Sequence, residues 1–222
     1  MARNVIQKVN LHFNDTDNLE NMIKIENYIE NIKTKFPKID SLQPWEIINN
    51  LEDILLEHLK ALDSDYIIKN NIAIHKTATI EQGVIFKGTI IISENCFVGA
   101  NAYLRGPIFM SNSVKVGPGS EIKQSILFDN SAIAHFNYIG NSIIGQNINF
   151  EAGSICANHF NERQDKRIFI KYNNQIIDTK TEKFGSLVGD NSKIGANAVL
   201  SPGTILEKNS IVKRLELIEQ IK

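Results

Sequence analysis

The apolar positions along this chain follow two different periods. From residue 72 the spacing is six: Ile74, Ile80, Phe86, Ile92, Val98, Leu104, Met110, Val116 and Ile122 follow one another without a break. Four residues after each stands a second apolar or small residue, namely Ala78, Val84, Ile90, Cys96, Ala102, Ile108, Val114, Ser120 and Ile126. Gly, Asn and Ser crowd the places between, as in VGAN, VGPG and IGNS. After one-residue slips the pattern resumes at Leu127, Ile133, Ile139, Ile144, Phe150 and Cys156; it breaks over 159–185 and returns as Val188, Ile194, Leu200, Leu206 and Val212. Such a period matches neither an amphipathic helix nor an alternating strand, whose repeats are 3.6 and 2. It is the signature of a parallel β-helix, in which each hexad supplies a short strand and a corner and three hexads close one triangular coil of about 18 residues. Coils of this kind wind left-handed, against the usual right-handed crossover rule.

Residues 1–69 follow a helical period instead. Asp17 and Glu20 form a plausible capping box before Met22, Ile25, Ile29, Ile32 and Phe36, and Pro37 ends that helix. A second helix is expected to start at Pro44, a favoured first-turn residue, with Trp45, Ile48, Leu51, Leu55, Leu59 and Leu62 as its stripe. Neither helix carries catalytic spacing, so the pair reads as a hairpin that packs on a neighbour or mediates assembly. The expected fold class is therefore all-β, a left-handed parallel β-helix over 70–212 with an N-terminal α-helical hairpin over 1–69. The tail KRLELIEQIK, 213–222, is expected to fold as a short C-terminal helix that caps the open last coil. The polar break at 159–185 cannot continue the coil interior, and RIFIKY and QIID within it read as the strands of a hairpin. It serves as a functional loop or as an interface loop.

Composition removes several function classes. With 24 basic and 25 acidic residues the net charge is −1, and no basic stripe points to nucleic acid. No apolar run approaches the ~18 residues of a membrane span, and MARNVIQKVNLHF lacks the apolar core of a signal peptide, so a cytoplasmic location is the expectation. Cys96 and Cys156 form no CxxC pair and read as buried reduced thiols. A zinc site between subunits would need converging histidines, and His12, His58, His75, His135 and His159 show no paired spacing, so no metal is expected.

The coil period lets the sequence report geometry. Arg105 and Lys123 are one coil apart and should stack on one corner, roughly 5 Å apart. Two cations at that distance repel unless an anion lies between them. Glu121 and Tyr138 fall at the same corner, with His135 on the side leading into it. The resulting cluster holds a candidate base, a carboxylate able to orient it, and two cations suited to a phosphate. Asn149 and Asn158 project from other sides of the prism and would join this cluster only from a neighbouring chain, which predicts a symmetric oligomer with sites between subunits.

The stretches AYLRG, EIKQS, AHFNYIGNSIIG and NINFEAGSICANH resemble the acetyltransferase domain of the bifunctional N-acetylglucosamine-1-phosphate uridyltransferase / glucosamine-1-phosphate acetyltransferase family. The resemblance covers about residues 98–158 well and 186–206 loosely, and the N-terminal third has no counterpart. It implies a homotrimer, with His135 as general base, Glu121 helping to orient it and Asn158 contacting the reacting amine. It further implies that Arg105, Lys123 and Tyr138 bind a sugar phosphate, that Asn149 contacts the sugar, and that acetyl-CoA is the acyl donor. The donor would pass Ala152 and the backbone N–H of His159, with Lys183 standing for a family lysine. Glu151 stands where the family has glycine beside the acetyl-CoA path, and Lys213 and Arg214 are the remaining candidates for the family's arginine tail. A uridyltransferase half would need a Rossmann-like domain, for which 69 helical residues are too short.

The reading is thus an acyltransferase acting on an amino-sugar phosphate or related sugar phosphate. The alternative is a non-catalytic β-helix module that binds a sugar phosphate or sugar nucleotide, or an assembly partner. Glu151 favours the second and the interval at His135 favours the first.

Overall fold

A computed structural model describes residues 22–39 and 41–221. Three faces of parallel strands build a left-handed β-helix, and each face carries one strand per coil. On the first face Ile72–His75 pairs with Ile90–Ile92, followed by the second halves of Tyr103–Met110 and Glu121–Leu127, then Ile143–Ile144, Ser186–Val188 and Thr204–Leu206. The second face runs from Thr79–Ile80 through Phe97–Val98, Lys115–Val116, Ala132–Ile133, Asn149–Phe150 and Lys193–Ile194 to Ile211–Val212. The third begins at Ile85–Lys87, takes the first halves of Tyr103–Met110 and Glu121–Leu127, and continues through Tyr138–Gly140, Ile155–Cys156 and Val199–Leu200 to Leu217–Ile218. The six-residue positions point inward. Leu104, Met110, Val116, Ile122, Ile133, Ile139, Phe150, Leu200 and their neighbours fill the prism, with both cysteines buried and unpaired among them.

The first face is apolar on its outer side as well. Ala73, Ile91, Phe109, Ile126, Ile143, Leu187 and Ile205 form a row that packs into a second core. Runs such as Ile90-Ile91-Ile92 show why: a strand buried on both sides reads as continuously apolar rather than alternating. The N-terminal segment covers this row. Its helices are α1 (Ile32–Lys35), α2 (Pro44–Asn49) and α3 (Leu51–Lys60). Pro44 starts α2 as expected, and the Gln43 N–H donates to the Glu46 carboxylate at 2.8 Å. The first expected helix is a different object. Between Met22 and Phe36 there is one 3₁₀ turn, Ile25–Asn27, and the single turn of α1. The Tyr28 carbonyl accepts from the Asp190 N–H, and the Glu30 N–H donates to the Asp190 carboxylate at 2.9 Å, so tertiary bonds replace the i→i−4 ladder. The capping box at Asp17 and Glu20 lies outside the described residues.

The excursion leaves the third face after Cys156. Phe169–Tyr172 and Gln175–Asp178 form an antiparallel hairpin, as RIFIKY and QIID suggest. Phe160, Ile168, Ile170 and Phe184 bury into the outer core, where Phe184 meets Trp45 edge-on at 6.1 Å. The C-terminal helix requires correction. Leu217 and Ile218 form one more strand, paired with Val199 and Leu200, because the six-residue period continues from Val212 to Ile218. The β-helix thus runs past residue 212, and the tail expected to cap the last coil as a helix adds a strand to it instead.

Candidate functional site

The third face gathers most of the expected polar residues. Its strands carry two outward columns: Tyr103, Glu121 and Tyr138 in the first, and Lys87, Arg105, Lys123 and Gly140 two residues further on. Arg105 and Lys123 are register partners, as their spacing predicts. Arg105 Nη1 donates to Glu121 Oε1 at 2.7 Å, and the Arg105 guanidinium lies 5.6 Å from the Tyr103 ring centre. Lys87 Nζ lies 5.4 Å from the same centre. The Tyr138 side chain folds along its strand so that its hydroxyl is 2.6 Å from where a Cβ on Gly140 would stand. Gly140 leaves the phenol room to lie over the Lys123 column.

The excursion adds a fourth cation. On its return the Phe184 N–H donates to the Asn158 carbonyl and the Gly185 N–H to the Asn141 carbonyl. Asn158 is buried, its Nδ2 donating to Asn141 Oδ1 at 2.6 Å, and the Asn141 N–H donates to the Lys123 carbonyl. This ladder sets Lys183 near Lys123. Partial burial, and after it the positive charges of Lys183 and Arg105, hold the Lys123 ammonium below its ordinary range against the pull of Glu121. Burial and the Glu121 carboxylate push the Tyr138 hydroxyl up, so it stays a hydrogen-bond donor at neutral pH.

His135 stands at the other edge of the same face, at the corner between the second and third faces. A three-residue strand separates the two edges, roughly 10 Å. The imidazole is exposed and makes no hydrogen bond among the described residues. Glu121 is turned to Arg105 and does not bond His135, so the expected orienting contact is not made within one chain. This corner needs a left-handed backbone in every coil: Gly83, Asn101, Gly119, Phe136, Gly153, Asn197 and Leu215 all have positive φ. Gly and Asn tolerate that conformation; a phenylalanine there is an outlier. Phe136 has φ 56°, is 74% exposed, and lays its ring against Gly119, 2.8 Å from where a Cβ would stand. Asn137 turns inward, donating to the His135 carbonyl and accepting from the Ser154 N–H at 2.8 Å.

The remaining expected residues lie elsewhere. Asn149 is exposed on the second face, in a groove with Glu151, Lys193, Lys213 and Arg214. Ala152 stacks one coil after His135, its neighbour Gly153 donating to the His135 carbonyl. His159 opens the excursion, with its ring against Asn158 Oδ1 at 3.2 Å. Glu151 is held in the groove: Arg214 donates to it at 2.7 and 2.8 Å and the Ala196 N–H at 2.9 Å, which holds the pKa of its carboxyl below the usual carboxylate range. One chain therefore unites Arg105, Glu121, Lys123, Tyr138, Asn158 and Lys183 along one edge and His135 with Ala152 at the other, while Asn149 faces away; the expectation that Asn158 joins only from a neighbouring chain is corrected, because Asn141 and the returning excursion hold it beside Lys123 in the same chain. Sequence reasoning missed Lys87, which the coil period places one coil before Arg105, and Phe136, which the corner column of Gly and Asn would have exposed.

A family model described as the GMPPB C-terminal domain matches residues 87–160, and one described as a hexapeptide repeat of succinyl-transferase matches residues 187–213. A "Bifunctional protein GlmU" from Methanococcus maripaludis is 33% identical over 38% of this chain and 20% of its own length. Another from Wigglesworthia glossinidia brevipalpis is 34% identical over 42% and 18%. A "Bifunctional sugar-1-phosphate nucleotidylyltransferase/acetyltransferase" from Sulfurisphaera tokodaii is 32% identical over 34% and 18%. The chain thus spans about a fifth of the length of these curated relatives. Among solved structures, a hexapeptide transferase family protein from Anaplasma phagocytophilum aligns over 68% of this chain and 81% of its own, at 15% identity and a TM-score of 0.45. The resemblance read from the motifs holds: the chain carries a hexapeptide-repeat β-helix similar to part of these bifunctional proteins.

Proposed function

We propose that the chain is an acyltransferase that moves an acyl group from a thioester, acetyl-CoA being the expected donor, to the amine of a sugar phosphate. The observation that carries this reading is the third face itself, with a partnerless imidazole at one edge and a column of cations at the other, a span that a hexose phosphate bridges. Arg105, Lys123, Lys183 and Tyr138 hold the phosphate through charge and hydrogen bonds. His135 removes the proton that the amine must lose as it attacks the carbonyl carbon, a task suited to imidazole near neutrality. The His159 N–H, which makes no backbone bond among the described residues, suits the oxyanion. Asn149 reaches such a site only from another copy of the chain, and the exposed Phe136, Ile85, Ile155 and Leu217 give that copy an apolar surface. These point to a homotrimer with sites between subunits.

The donor half rests on the groove of the second face. Lys193 and Lys213 suit the phosphates of coenzyme A, and a thioester bound there supplies an acyl carbon open to attack. Glu151 narrows this groove, which favours a second reading, a module that binds sugar phosphates without turnover. Calorimetry separates the two. The first reading predicts that both acetyl-CoA and glucosamine 1-phosphate bind, with sugar-phosphate binding lost in Arg105→Ala and both kept in His135→Ala. Absent acetyl-CoA binding would sink the transferase reading and leave the binding module.

A further inference from the structure

We propose that the cationic column is a two-phosphate site, so that the acceptor, on the reading above, carries a diphosphate such as a nucleoside-diphosphate sugar rather than a single phosphate. The column extends one coil beyond the residues needed for a monophosphate. Lys87, Arg105 and Lys123 are successive register partners on adjacent strands, and their Cα positions span roughly 10 Å at about 4.8 Å per strand. They form two groups. Lys123 and Lys183 lie at one end, beside Asn141 and the Tyr138 hydroxyl. At the other, Lys87 and Arg105 both rest on the Tyr103 ring, at 5.4 and 5.6 Å from its centre.

Charge divides the same way. Glu121 is the one carboxylate paired within the column, and Arg105 takes it at 2.7 Å. Among the described residues Lys87, Lys123 and Lys183 form no salt bridge. Each end therefore keeps positive charge that its own carboxylate does not cancel. A lone phosphate held by Arg105, Lys123 and Lys183 leaves Lys87 unmatched one strand further on. Two phosphoryl groups joined by one bridging oxygen spread the anionic charge along the column, and the long side chains of Lys87 and Lys123 reach them from its two ends. Packing on Tyr103 fixes where the Lys87 charge sits at little entropic cost on binding.

The test uses two ligands of similar charge, glucose 1-phosphate and UDP-glucose, titrated calorimetrically into the full chain without acyl donor. Wild type is expected to bind UDP-glucose at least tenfold more tightly. Lys87→Met, which keeps the apolar stem on Tyr103, is expected to remove that excess and leave glucose 1-phosphate affinity within twofold. Arg105→Ala is expected to weaken both. If Lys87→Met weakens both ligands equally, or neither, the two-phosphate site is overturned while the acceptor site stands. If Arg105→Ala changes neither ligand, the acceptor site itself is overturned, and the inference with it.

Discussion

Phe136 gives the residue scale its clearest test. Its backbone occupies a left-handed slot that five of the other six coils fill with Gly or Asn and the last with Leu215, at a cost of roughly 1 kcal/mol or more, while its ring stays exposed. A strained, exposed aromatic next to the candidate base is what a functional contact leaves behind. Phe136→Asn is expected to keep or raise the urea midpoint of unfolding while lowering catalytic turnover or self-association; a large loss of stability would show that the ring is simply structural. His58 offers a second residue-scale test. Its Nε2 meets the Lys35 carbonyl at 2.9 Å, and its ring stacks on Phe109 at 5.9 Å. Burial, opposed by the Lys35 carbonyl, holds the pKa of its imidazolium below the ordinary value near 6.5. The unfolded chain then takes up the proton more readily, so this contribution is complete above about pH 6.5 and is lost as pH falls toward the depressed folded value. Urea midpoints should fall from pH 7 to 5 by less in His58→Gln than in wild type. At this scale the spacing Arg105–Lys123–His135–Tyr138 was legible, because the repeat converts interval into position. The Glu121–Arg105 bond was not, since a carboxylate with two nearby partners chooses by distance.

Among the elements, the N-terminal segment is held by a side chain far away in sequence. Asp190 is 1% exposed and accepts from the Glu30 N–H and the Gln146 N–H, both at 2.9 Å, and from Gln146 Nε2 at 3.3 Å. It ties the stretch before α1 to the corner that follows Ile144. Asp190→Ala leaves these donors without an acceptor and is expected to cost about 2–4 kcal/mol, read as a lower melting temperature, with Asp190→Asn recovering part of the loss. The same contact explains why the first expected helix is absent: apolar spacing at 3 and 4 suits a helix, but Tyr28 and Glu30 spend their backbone groups on a residue 160 positions on. No local pattern carries that. The C-terminal strand, by contrast, was legible in Val212 and Ile218. The expectation of a cap over the open last coil led away from it.

The whole molecule is two cores sharing one wall. The prism core follows from the six-residue repeat. The outer core follows from apolar runs such as Ile90-Ile91-Ile92, which mark the covered face before the cover is known. Among the described residues that cover leaves the second and third faces bare, and the proposed site lies on them. The proposed trimer should therefore elute with three times the 25.0 kDa chain mass by light scattering, and Phe136→Asp should reduce it to one. The central claim is acyl transfer by His135. Its direct measurement is thiol release from acetyl-CoA in the presence and absence of glucosamine 1-phosphate or a nucleoside-diphosphate amino sugar, for wild type and His135→Asn. The account predicts sugar-dependent release that falls at least about 100-fold in the variant with acceptor KM little changed. Release that ignores the sugar, or survives His135→Asn intact, would contradict it.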